Sequence, residues 1–147
     1  MNKFHFEHAS LEEKLVEMIL VAGRQSMIRL DAALQEVNLS GPKMWALHQL
    51  VRTAEPMPIT DLARCMRSGK SNITQLMDRL EAENLVRRVP NPDDRRSVLV
   101  EITEEGRERF EAGEALHREA AQEIMAALPL DDREQMAFYL EKFIRTF

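Results

Sequence analysis

At 147 residues, 44% of them hydrophobic and 31% charged, the chain suits one ordinary domain, or a small domain whose helices need a partner, and is too apolar for disorder. One cysteine excludes an intrachain disulfide framework, no apolar run approaches the roughly 18 residues of a membrane span, and Met1 to Ser10 lacks the order of a signal peptide, so a cytoplasmic protein is expected. The net charge of −5 opposes nucleic acid at first sight, yet Arg64 to Arg96 holds eight Lys/Arg against five Asp/Glu, and a basic middle on an acidic scaffold suits docking on phosphate.

Ser10 and Glu13 have the spacing of a capping box, and Leu11, Leu15, Met18, Ile19 and Ala22 follow at helical intervals. The stripe continues through Leu30, Ala33, Leu34 and Val37, predicting a first helix of more than 20 residues. Ser40 is placed to cap a second helix, with Pro42 in its first turn and Met44, Leu47, Leu50 and Val51 inward. Pro56 to Pro58 stops it, and Thr60 is expected to cap a short third helix carrying Leu62, Ala63, Cys65 and Met66. After Arg67, Ser68 and Gly69 a fourth helix sets Ile73, Leu76, Met77 and Leu80 on one face and Lys70, Ser71, Thr74, Gln75, Asp78 and Arg79 on the other.

Leu85 to Val89 and Ser97 to Ile102 are rich in Val and Leu and predict a hairpin, with Val98, Val100 and Ile102 as its buried face. Thr103 caps a fifth helix with the stripe Phe110, Leu116, Ala120, Ile124 and Met125, and Pro129 ends it. Asp131 with Glu134 starts a last helix bearing Met136, Leu140, Phe143 and Ile144. The terminal helices carry wider apolar stripes than the compact middle can cover, which points to a two-fold homodimer.

Two helices joined by a tight turn, the second exposing small polar and basic side chains, form the arrangement that lays a helix in the major groove. Lys70, Ser71, Asn72, Thr74 and Gln75 stand in the first turns of that helix, where side chains reach base edges and backbone N–H groups point at phosphate. The hairpin tip holds Asp94, Arg95 and Arg96 after a rigid Pro90, Asn91, Pro92 segment; an arginine there suits the negative minor groove.

These residues resemble the MarR (multiple antibiotic resistance regulator) family of winged-helix repressors. The resemblance is carried by Asp61 to Ala63, Asn72 to Glu81, Leu85 to Arg88, Asp94 to Arg96, and Ile102 to Gly106. It implies a mainly α (α+β) fold: a winged helix-turn-helix over residues 39–103, with dimerisation helices at 1–38 and 104–147. It further implies double-stranded operator DNA of pseudo-palindromic form as partner, with Ser71, Asn72, Thr74 and Gln75 in the major groove. Arg96 would enter the minor groove, positioned by Asp94, and Arg79 would either touch DNA or hold a structural ion pair. Three positions depart from the family pattern: Asn84 replaces a usual Gly, Gly69 a usual Ser cap, and Gln75 a common basic residue.

The family also implies a small aromatic or anionic effector bound beside the dimer helices. Met18, Met44, Trp45, His48 and Met66 are candidates by position, against the plain reading that such residues form core. Cys65 could switch by oxidation, but sharing the Leu62 face it is expected to be a small buried hydrophobe. No cofactor is expected, and the histidines offer no metal-ligand spacing: His5 and His8 are an isolated pair, and His48 and His117 have no close partner. With no Gly-rich phosphate loop, nucleophile elbow or acid–base pair in pattern, an enzyme is not expected. A winged helix that docks on protein is the remaining alternative, opposed by the basic tip.

Overall fold

The computed structural model describes residues 10–94 and 97–147. Helix α1 (Leu11–Leu34) starts at the predicted capping box: Glu13 N donates to Ser10 Oγ at 3.2 Å and Ser10 N to Glu13 Oε2 at 2.8 Å. It ends in a 3-10 turn, Gln35–Val37, closed by left-handed Asn38. Helix α2 (Gly41–Thr53) has Pro42 in its first turn, but Ser40 makes no side-chain cap bond. Asp31 does that work instead, its Oδ1 accepting from Gly41 N at 2.7 Å and tying the end of α1 to the start of α2.

Three expected boundaries shift. Helix α3 (Ile59–Cys65) is entered at Pro58, and Thr60 lies inside its first turn. Helix α6 (Leu130–Ile144) is entered at Pro129 with no side-chain cap, so Asp131 is a first-turn residue favourable to the helix dipole and not a cap. Helix α5 (Glu104–Met125) ends four residues before Pro129. Helix α4 spans Lys70–Ala82.

A strand absent from the sequence reading, β1 (Met57–Pro58), pairs antiparallel with β3 (Val98–Ile102), which also pairs with β2 (Val86–Pro90), giving the order β1-β3-β2. Two residues flanked by prolines carry no alternation to read, and Pro58 is tolerated because β1 is an edge. The register sets Met57 opposite Val100 and Pro58 opposite Leu99. Val100 and Ile102 are buried as expected, but Val98 is exposed, lying toward the hairpin tip beyond the residues paired with β1.

The Thr103 to Gly106 signature acquires a mechanism here. Thr103 Oγ1 accepts from Gly106 N at 3.0 Å and donates to Asn84 O at 2.7 Å, while Thr103 N donates to Leu85 O at 3.1 Å. A Cβ on Gly106 would stand 2.0 Å from Leu85 O, so only glycine lets α5 pass this close to the start of the wing. Asn84 adopts the left-handed φ of 58° that its replacement of a glycine required.

The chain divides into two compact units. Residues 31–118 hold every buried apolar residue among those described, a cluster running from Leu34 and Leu39 through Ala46, Leu47, Leu50, Leu62, Ile73, Met77, Leu80, Leu85 and Val100 to Phe110. The second unit joins the first part of α1, through Leu30, to residues 119–147. It leaves Leu11, Leu15, Met18, Leu20 and Met27 of α1 and Phe138, Tyr139, Phe143 and Ile144 of α6 exposed.

Candidate nucleic-acid interface

Helix α3, a turn and helix α4 form the helix-turn-helix. The turn is closed by Arg67 N donating to Arg64 O and Ser68 N to Ala63 O, each at 3.1 Å, with Arg67 in the left-handed region at φ 47°. Ile73, Met77 and Leu80 bury one face of α4 in the core, with Leu76 half-buried beside them. The other face therefore stands in solvent: Lys70, Ser71, Asn72, Gln75, Asp78 and Arg79 are all exposed. No acidic residue occupies its first turn, and Gly69, the N-cap, supplies no side-chain bond. The first N–H groups of α4 are thus without a side-chain acceptor, which favours an anion at that end.

Thr74 differs from its neighbours. It is half-buried and its Oγ1 donates to Lys70 O at 2.9 Å, leaving it to meet a partner as an acceptor or through its methyl group. Ion pairing sorts the basic residues. Arg87 bonds Glu101 across the hairpin, Arg88 bonds Asp78 and Glu81, and Arg64 pairs with Asp61 at 3.2 Å. Among the described residues Arg67, Lys70 and Arg79 make no ion pair, so the structural role open to Arg79 in the sequence is filled by Arg88. Arg67 was not among the expected contacts; its only sequence signal is a cation inside the turn.

At the wing tip Asp94 is exposed and its carbonyl accepts from Ser97 N at 2.9 Å. Arg95 and Arg96, the expected minor-groove residues, lie outside the described residues, as do His5 and His8. Cys65 is exposed and not buried as expected. The inward line of α3 runs Ile59, Leu62, Ala63, Met66, and Cys65 falls off it.

Of the effector candidates, Trp45 and His48 come together. Their rings stack with centroids 5.4 Å apart, and His48 also tilts against Phe110 at 6.1 Å. A cavity of about 400 Å³ opens beside them, lined by His48, Val51, Arg52, Arg107, Phe110 and Glu114 among others. Met44 and Met66 pack on the core, and Met18 is an exposed residue of α1 in the other unit. Gln49 is buried and bonds His48 Nδ1 at 3.4 Å, a polar core position that the apolar pattern did not signal. No group of three His, Cys, Asp or Glu among the described residues could hold a metal ion, and no described helix is long and apolar enough to cross a membrane.

Comparison with known proteins agrees with this geometry. Residues 45–98 match the family model described as MarR family. An HTH-type transcriptional regulator of Bacillus subtilis, YfiV, is 36% identical over 51% of this chain, which spans 46% of that protein. The homoprotocatechuate degradative operon repressor of Escherichia coli is 23% identical over 91% of this chain and 90% of its own length. Crystal structures of MarR from E. coli share the fold. The apo form has a TM-score of 0.77 at 25% identity, covering 93% of this chain and 98% of that one. A mutant complexed with operator DNA has a TM-score of 0.78 at 23% identity, covering 92% and 99%. A winged helix-turn-helix with an exposed polar recognition face, a family-model match over residues 45–98 and relatives of the same kind agree: this segment is a MarR-type winged helix-turn-helix, similar to those of DNA-binding transcriptional regulators.

Proposed function

We propose that the protein is a homodimeric repressor that holds a pseudo-palindromic operator and is released by a small effector. The observation that carries this reading is the face of α4, where Lys70, Ser71, Asn72, Gln75 and Arg79 are exposed in one surface while Ile73, Met77 and Leu80 lock the helix to the core. In this reading Gln75 reads a base edge, adenine being the natural partner of its amide, and Ser71, Asn72 and Thr74 contact bases or phosphates. Lys70 and Arg79, without an ion pair among the described residues, neutralise phosphates, with Arg67 as an addition. Arg95 and Arg96 follow Asp94 on the wing and serve the minor groove.

Residues 39–103 act as the DNA-binding domain, and 1–38 with 104–147 as the dimerisation region. The exposed apolar residues of α1 and α6 support a two-fold partner. An aromatic or anionic effector suits the cavity beside Trp45 and His48, where Phe110 offers a ring and Arg52 and Arg107 offer cations among the carboxylates of Glu111 and Glu114; Met18, Met44 and Met66 do not line it. The protein works in the cytoplasm and carries out no catalysis. Exposure of Cys65 favours a second reading, release by oxidation of that thiol, which requires DNA binding to fall on peroxide treatment and to be spared in Cys65→Ser.

The test is selection of bound sequences from a random DNA pool, followed by binding of the selected site. Operator affinity should fall steeply with salt, and Arg96→Ala should weaken it strongly with the dimer intact. An unchanged affinity removes the wing from the interface.

A further inference from the structure

We propose that Arg88 is a positioning residue for operator recognition: it sets the wing against the recognition helix and masks two carboxylates of that helix from DNA phosphates. The inference rests on the operator-binding reading above. Arg88 lies in β2, opposite Val100 of β3, at the root of the wing. Its Nη2 donates to Asp78 Oδ1 at 2.5 Å, its Nη1 to Glu81 Oε2, and its backbone N to Glu81 Oε1 at 3.1 Å. Both acceptors belong to α4. One side chain and its own amide therefore hold strand to helix through three bonds, two of them between full charges.

The neighbouring arginine shows that this is particular to position 88. Arg87 spends its guanidinium on Glu101, within the hairpin, and among the described residues bonds no helix. Asp78 stands one turn beyond Thr74 and Gln75 on α4, a largely exposed carboxylate where a phosphate backbone approaches a helix in the groove. Left alone, Asp78 and Glu81 would repel DNA; with Arg88 between them the local charge is −1. Arg88 is itself half-buried, and the Asp78 hydrogen bond is the chief cause that raises its already high pKa, so the cation persists at every working pH. Lysine cannot replace it fully, because a point charge lacks the planar fork that serves two carboxylates on successive turns.

The experiment compares the full-length dimer with R88K, R88M and the triple variant R88M/D78N/E81Q. It measures affinity for the selected operator and for random-sequence DNA, hydroxyl-radical footprints and melting temperature. R88M should lose about tenfold or more in operator affinity, the scale of one charge-assisted contact. R88K, which keeps the charge, should retain affinity for random DNA while its operator preference falls and protection at the wing's minor groove weakens. The triple variant should recover affinity for random DNA but not operator preference. A merely stabilising ion pair would lower the melting temperature and leave the preference and the footprint unchanged, and that result overturns the proposal. So does an R88K indistinguishable from the parent, or an R88M with full operator affinity. If R88M fails to fold, R88K and the triple variant decide between the same outcomes. A parent chain that selects no operator at all removes the transcriptional reading and with it any preference for Arg88 to set, whereas a selective parent with an indifferent R88K sinks the clamp alone.

Discussion

Gly106 and Gln75 show two different demands on single residues. At Gly106 the constraint is steric: a Cβ would meet the carbonyl oxygen of Leu85 at 2.0 Å and the Ile102 side chain at 2.8 Å, and backbone cannot swing aside. Gly106→Ala should therefore destabilise the fold by about 3 kcal/mol, in the upper part of the range for overpacking, read as a lower denaturant midpoint. At Gln75 the proposed demand is recognition of DNA, since its side chain is exposed and supports nothing in the core. Gln75→Ala should leave stability unchanged and relax base preference at one operator position, costing about 1 to 3 kcal/mol of discrimination. Uniform loss across unrelated DNA sequences would assign Gln75 to phosphate instead.

The helices behave as units whose ends are chemically sealed in different ways. The start of α1 depends on a reciprocal pair: Ser10 Oγ accepts from Glu13 N while the Glu13 carboxylate accepts from Ser10 N. Ser10→Ala should cost α1 about 1 kcal/mol, seen as reduced helicity and faster amide exchange in its first turn. Glu12 beside it has its pKa lowered from 4.5, first by its backbone hydrogen bond and then by the Ser10 hydroxyl. A carboxyl depressed in the folded state stabilises it above the unfolded pKa, and the benefit is lost as pH falls through the folded value. Amides of the first turn of α1 should accordingly lose protection on acidification below the ordinary carboxylate range, and exchange that is flat across that range would contradict this. The start of α4 is the counter-example, with Gly69 at its cap and no acidic residue in its first turn. A structural helix gains by filling those positions; one that meets phosphate gains by leaving them to the ligand.

For the molecule as a whole, the distribution of burial is the deciding fact. Every buried apolar residue described lies within 31–118, whereas the unit built from the N-terminal part of α1 and residues 119–147 exposes Leu, Met and Phe side chains along both helices. Hydrophobic surface on that scale needs cover, and a symmetric copy supplies it with the same patch. Phe138, which stacks edge-on with Tyr139 at 5.5 Å and is well exposed, makes a direct probe. Phe138→Glu should shift the protein to monomer in sedimentation and weaken operator binding with it, because two half-sites are then no longer held together. A monomeric variant that keeps full operator affinity would exclude the two-fold arrangement.

Periodicity determined the long helices, the polar face of α4, the hairpin and the Ser10 and Thr103 caps, because a helix that must bury one side repeats its apolar residues whatever it packs on. The family resemblance, and not periodicity, implied a left-handed turn at Asn84 and marked Gly106 as part of a signature, without saying what the glycine was for. What local pattern could not carry was anything decided by distant chain. The strand at Met57 and Pro58 exists only because β3 offers it a ladder, and α3 and α6 begin two residues earlier than their polar caps suggested. Cys65 and Val98 are exposed because the core ends before reaching them. Ion pairing is the clearest case: the sequence by itself marked a basic island from Arg64 to Arg96 but treated its charges alike. Only the folded chain separated Arg87 and Arg88, consumed by carboxylates brought in from Glu101, Asp78 and Glu81, from Lys70 and Arg79, left facing solvent. The physical reason is range: burial periodicity is written along one element, whereas a salt bridge is made by whichever charges the tertiary fold sets within a few ångströms.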